Sequence, residues 1–92
     1  MDNQHQLIKG YRDLTQEEID LMNEIKSEGA RLQALVRKVK SHLQAQRQSI
    51  HTDEEELRLR RADPVRWAGM ARTDFQLGLM KLTRAVAQPT TF

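Results

Sequence analysis

The sequence predicts an all-α protein, a long antiparallel helical hairpin with a short N-terminal arm, assembled into a homo-oligomer. Three observations carry that expectation. Apolar residues recur at alternating spacings of three and four along residues 22–43, and helix-start patterns stand at Thr15, Thr52 and Asp63. The chain is also too small and too poor in aromatics to bury much on its own: 92 residues, 4% aromatic, with no cysteine for a disulfide. Residues 1–92 therefore read as a single helical domain whose remedy for a scant core is self-association.

Residues 1–14 form the arm, which carries the single tyrosine, Tyr11, between Gly10 and Arg12. Its opening MDNQHQLIKG lacks the apolar centre of a signal peptide. Thr15-Gln-Glu-Glu18 has the spacing of a capping box, in which the threonine hydroxyl and the glutamate carboxylate each take a backbone N–H of the other residue. Glu17, Glu18 and Asp20 also suit the positive end of a helix dipole. From there Met22, Ile25, Gly29, Leu32, Val36, Val39 and Leu43 make one seam, uninterrupted by proline. The first long helix is expected over 15–48, roughly 50 Å at 1.5 Å per residue. Gly29 on that seam weakens the helix by about 1 kcal/mol relative to alanine, which a close approach of another group would offset.

Residues 49–63 read as a charged, partly helical connection. Thr52-Asp-Glu-Glu55 repeats the capping-box spacing, and Glu54–Arg58 and Glu56–Arg60 stand at i,i+4. The run RLRR is thereby expected to be a solvated, internally paired face rather than a nucleic-acid patch. Asp63-Pro64 opens the second long helix, 64–87, with Asp63 as cap and Pro64 in the first turn. Its apolar residues, from Trp67 to Val86, occupy more than half of the helical wheel, so one neighbouring helix cannot cover them and a second subunit is expected to. Gln88-Pro89 ends it, leaving the tail 88–92, whose Phe92 is expected to dock on a partner chain.

Charge is segregated although the formal net charge is only +2. Residues 29–51 hold Arg31, Arg37, Lys38, Lys40 and Arg47 with no acid, and residues 64–92 hold Arg66, Arg72, Lys81 and Arg84 against Asp74 alone. Basic zones on a weakly charged chain suit a small anionic partner or a nucleic acid, or are ordinary solvated helix faces. Enzyme chemistry finds no support. No serine or cysteine sits in a nucleophile turn, no phosphate-binding glycine loop occurs, and the carboxylate runs are explained by helix capping. His5, His42 and His51 lack metal-ligand spacing, so neither a catalytic residue, a metal site nor a cofactor is expected. With no apolar run near the roughly 20 residues that span a bilayer, and no cysteine, the expected setting is the cytoplasm.

Lys26 has Met22, Asn23, Gly29 and Ala30 at its helical neighbour positions, none of them acidic. Two readings of Lys26 and Tyr11 stand on the residues alone. Lys26 is a snorkelling stem and Tyr11 a staple on the first turn, or Lys26 meets an anion and Tyr11 stacks a base, worth about 1–3 kcal/mol. Lys26 lies roughly 16 Å along the helix from Thr15. Two chains crossing antiparallel would bring the tyrosine of one near the lysine of the other. A two-fold interface then supplies two rings and two cations, which is what a cyclic dinucleotide asks for.

The segments YRDLTQEEIDLMNEIKSEGARL and WAGMARTDFQLGLMKLTRAVAQPTTF together resemble the phage-encoded anti-CBASS sponges, small proteins that sequester the cyclic oligonucleotide signals of bacterial antiphage immunity. The resemblance implies an all-helical homo-hexamer in the host bacterial cytoplasm. It implies binding of 3′,3′-cGAMP and related cyclic dinucleotides between protomers without cleavage, and of cyclic trinucleotides in a second pocket. It assigns base stacking to Tyr11 and phosphate contact to Lys26; Arg12, Asn23 and Gly29 are further candidates from their places beside those two, and Arg66, Arg72 and Thr73 are candidates for the second pocket from their charge and hydroxyl alone. The middle stretch, SHLQAQRQSIHTDEEELRLRRAD, departs from the shorter members of that family. The alternative from another class is a small helical phage protein that binds nucleic acid or acts as a scaffold, using the basic stretch 31–47. Neither a helix-turn-helix signature nor a dense unpaired basic cluster supports it, so no DNA partner is expected.

Overall fold

The structure, a computed structural model, describes residues 13–91. Its three helices are α1 (Gln16–Gln48), α2 (Asp53–Ala62) and α3 (Pro64–Ala87), and α1 and α3 pack as a hairpin. Tyr11, Arg12 and Phe92 lie outside the described residues.

Local chemistry accounts for where α1 begins and ends. The Glu18 amide donates to Thr15 Oγ1 at 3.2 Å, and the Thr15 amide donates to Glu18 Oε1 at 2.8 Å, closing the capping box in both directions. At the other end the Ser49 hydroxyl donates to the Ala45 carbonyl at 2.7 Å, satisfying an acceptor that the helix has run out of donors for.

The second capping box is half made. The Glu55 amide donates to Thr52 Oγ1 at 3.1 Å, but the Thr52 amide makes no return bond to the Glu55 carboxylate. Of the two pairs expected along α2, Glu56–Arg60 forms at 3.7 Å. Asp63 differs more. It occupies the cap position, yet its side chain makes no capping bond. The residue stands at φ 49°, ψ 52° and ends α2 while starting α3. With a single residue between two helices, the left-handed region is what turns the chain, and aspartate tolerates it better than most side chains. The carboxylate turns to Arg66 instead, at 3.9 Å.

Burial follows the seam only in part. Met22, Ile25, Gly29, Leu32 and Leu43 are half-buried and Val36 is buried, whereas Val39 is exposed. Val36 and Leu59 are the buried hydrophobic residues among those described. No residue of α3 is buried: Trp67 is 62% exposed, Met80 66% and Leu82 56%. The radius of gyration is 19.9 Å, against about 12 to 13 Å for a compact domain of this size. Burying one large apolar side chain contributes about 1.5–3 kcal/mol. So thin a core, among the described residues, offsets little of the entropy of ordering the chain, and a lone hairpin is expected to be only marginally stable.

Gly29 has a partner in the fold. A Cβ built there would stand 3.2 Å from Leu79 Cδ1, so the two helices are in close contact at that point. Gly29→Ala is expected to be nearly neutral, since a propensity gain of about 1 kcal/mol works against a small displacement of Leu79. Gly29→Val, larger and β-branched, is expected to destabilise the hairpin by about 1–3 kcal/mol. Thermal unfolding followed by circular dichroism decides; equal melting for valine and wild type would show that the helices are not in contact there.

Candidate functional site

Gly29 and Leu79 do more than close the seam. They line two separate clefts, one on each side of their contact, and so act as the wall between them.

The first cleft, about 680 Å³, lies between the N-terminal half of α1 and the C-terminal end of α3. Met22, Asn23, Ile25, Lys26 and Gly29 come from α1; Leu79, Met80, Thr83, Arg84 and Ala87 come from α3, and Pro89 from the tail. Lys26 makes no ion pair within the described chain, as its acid-free neighbour positions require. The Thr83 hydroxyl donates to the Leu79 carbonyl at 2.9 Å, which leaves its oxygen as an acceptor toward the cleft. Arg84 Nη2 donates to the Thr91 carbonyl at 3.3 Å. The lining is largely apolar and includes Met22 and Met80, whose unbranched side chains repack easily.

The second cleft, about 350 Å³, is lined by Arg37, Lys40 and Arg72, with Gln33, Gln76 and the ring of Phe75 beside them. Among the described residues no carboxylate lines either cleft. The acid–base pairs Glu28–Arg31, Glu56–Arg60 and Asp63–Arg66 lie outside both. Five cations along one seam with no counter-charge make an anion the fitting guest.

The sequence candidates are distributed as follows. Lys26, Asn23 and Gly29 come together in the first cleft, and Arg72 stands in the second. Arg66 and Thr73 join neither. Helical geometry explains the separation: seven residues bring Thr73 to the same face as Arg66, whereas Arg72 points roughly 120° away from Arg66. Arg66 is engaged by Asp63 and lies 5.7 Å over the Trp67 ring, and the Thr73 hydroxyl donates to the Gly69 carbonyl at 3.3 Å. Of these three residues, Arg72 alone lines either of the two clefts. Thr83 and Arg84, by contrast, carry no signal in local spacing, because only the hairpin register brings them into the cleft with Lys26. Among the described residues no group of histidines and carboxylates could hold a metal ion, and no helix is long and apolar enough to cross a membrane.

Residues 3–87 match the family described as the Acb2/Tad1 hairpin domain. The chain is also similar to "Anti-CBASS protein 2" of Pseudomonas phage JBD67, with 46% identity over 105 residues, covering 97% of this chain and 97% of that protein.

Proposed function

This chain belongs to the anti-CBASS sponge family described by the Acb2/Tad1 hairpin domain, and from that premise we propose that it sequesters cyclic oligonucleotide signals in the host bacterial cytoplasm. Cyclic dinucleotides such as 3′,3′-cGAMP are the first guests, held without cleavage, so that CBASS effectors never meet their activator. The observation that carries this reading is the Lys26 cleft, which is large enough to take part of such a guest, largely apolar in its lining and free of carboxylate among the described residues.

Sequestration needs affinity and no chemistry. The guest brings two flat bases and two negative phosphates. Lys26 supplies charge, and Tyr11 on the arm of a second copy supplies a stacking face. A cleft open on one side becomes an enclosure when another copy lies over it, and enclosure strengthens every charge interaction inside. The exposed side chains Trp67, Leu77, Met80 and Leu82 of α3 give that second copy an apolar surface to cover. A homo-hexamer is the assembly we assign. The Arg37–Lys40–Arg72 cleft extends the same logic to cyclic trinucleotides, which carry one more phosphate.

Native mass spectrometry of the purified chain, with and without 3′,3′-cGAMP, tests the reading. The expected spectrum shows an oligomer that gains the intact mass of the nucleotide. A lone subunit that captures none, or one that takes up duplex DNA instead in a salt-sensitive manner, rejects it.

A further inference from the structure

We propose that Arg84 is a second phosphate-binding cation of the Lys26 cleft, held in position by the tail of its own chain. The proposal rests on the sequestration reading and adds to it the side chain that fixes the orientation of the guest.

Lys26 and Arg84 come from different helices and line the same cleft. They offer different things. A lysine ammonium is a point charge on a flexible stem, whereas a guanidinium is a rigid fork that matches two oxygens of one phosphate. Only the fork fixes which way a phosphodiester faces. Arg84 is already oriented: one of its five N–H donors is given to the Thr91 carbonyl at 3.3 Å, and the others remain available.

The tail is bent to make that bond. Gln88 stands at φ 54°, in the left-handed region, and turns the chain so that Pro89 lines the cleft and the Thr91 carbonyl returns to Arg84. The tail is then a strut rather than a lid. It holds the guanidinium at the rim and lowers the entropy lost when a phosphate arrives. Thr83, one residue before, has its proton committed to the Leu79 carbonyl and presents only lone pairs. It suits a ribose hydroxyl or a base amino group and leaves the phosphate to Arg84 and Lys26.

Two substitutions in the full chain separate a ligand contact from tail-holding alone. Arg84→Gln removes the charge yet keeps a donor for the Thr91 carbonyl. Arg84→Lys keeps the charge and loses the fork. Calorimetric titration with 3′,3′-cGAMP is expected to show Arg84→Gln weakened roughly 10- to 100-fold, and less affected by added salt than wild type. Arg84→Lys is expected to lie between the two. Wild-type affinity in Arg84→Gln overturns the proposal, because a tail-holding role is all that glutamine preserves. Should Arg84→Gln fail to assemble by light scattering, Arg84→Lys decides: undiminished affinity there rejects the fork. Binding by wild type that is lost in Lys26→Ala but kept in both Arg84 variants rejects the Arg84 assignment alone. No binding by wild type rejects this and the sequestration reading together.

Discussion

Lys26→Ala is expected to abolish measurable binding of 3′,3′-cGAMP while leaving the helices and the assembly unchanged. One charge-assisted contact is worth about 1.5–3 kcal/mol. A guest with two phosphates at a two-fold interface loses that contact twice, so the loss is roughly 3–6 kcal/mol, or about two to four orders of magnitude in affinity. The fold has little stake in this side chain. Lys26 is exposed and makes no ion pair within the described chain, and alanine is the better helix former. Calorimetry, with circular dichroism and light scattering on the same sample, measures both halves of the expectation. Tyr11→Ala is expected to behave in the same way through loss of stacking. Retained tight binding in both variants would remove the site from Lys26 and the arm.

The second large effect concerns assembly. Trp67 and Leu82 lie on one side of α3, about 60° apart around the helix, and both are mostly exposed in the single chain. Trp67→Glu combined with Leu82→Asp therefore disturbs little within one hairpin, where surface changes stay within about 0.5 kcal/mol. Beneath a second copy the same two carboxylates would be stripped of water without a partner, at several kcal/mol for each. The double variant is expected to run as a lone, less stable subunit at micromolar concentration, with its melting temperature no longer rising with protein concentration as an assembling chain's does. If light scattering shows the wild-type mass, this side of α3 is not an interface.

What could be read in the sequence was what local spacing determines. Thr15 and Glu18 are three residues apart, and their reciprocal bonds form in the helix whatever lies elsewhere in the chain. The acid-free surroundings of Lys26 are equally local. Gly29 marked a close approach, although spacing could not say that Leu79 would be what approached. Asp63 shows where local reading ends. Asp-Pro ahead of a helix reads as a cap, and the single-residue joint with α2 takes the backbone into the left-handed region, out of reach of a side-chain capping bond. Arg84 marks a deeper limit. Its place beside Lys26 follows from the register of α3 against α1, which is set by packing over the whole seam and by no short motif.

Neither of the charge-lined clefts takes a residue from α2 or from the joints flanking it. Under the sequestration reading, that part of the molecule serves as a spacer at the far end of the hairpin, its inward duty being to bury Leu59. On that reading, changes at the exposed positions of the bend are expected to leave capture intact so long as Leu59 stays in place. Differences in length among relatives should collect there, and a tag or fluorophore placed at the bend should leave capture undisturbed.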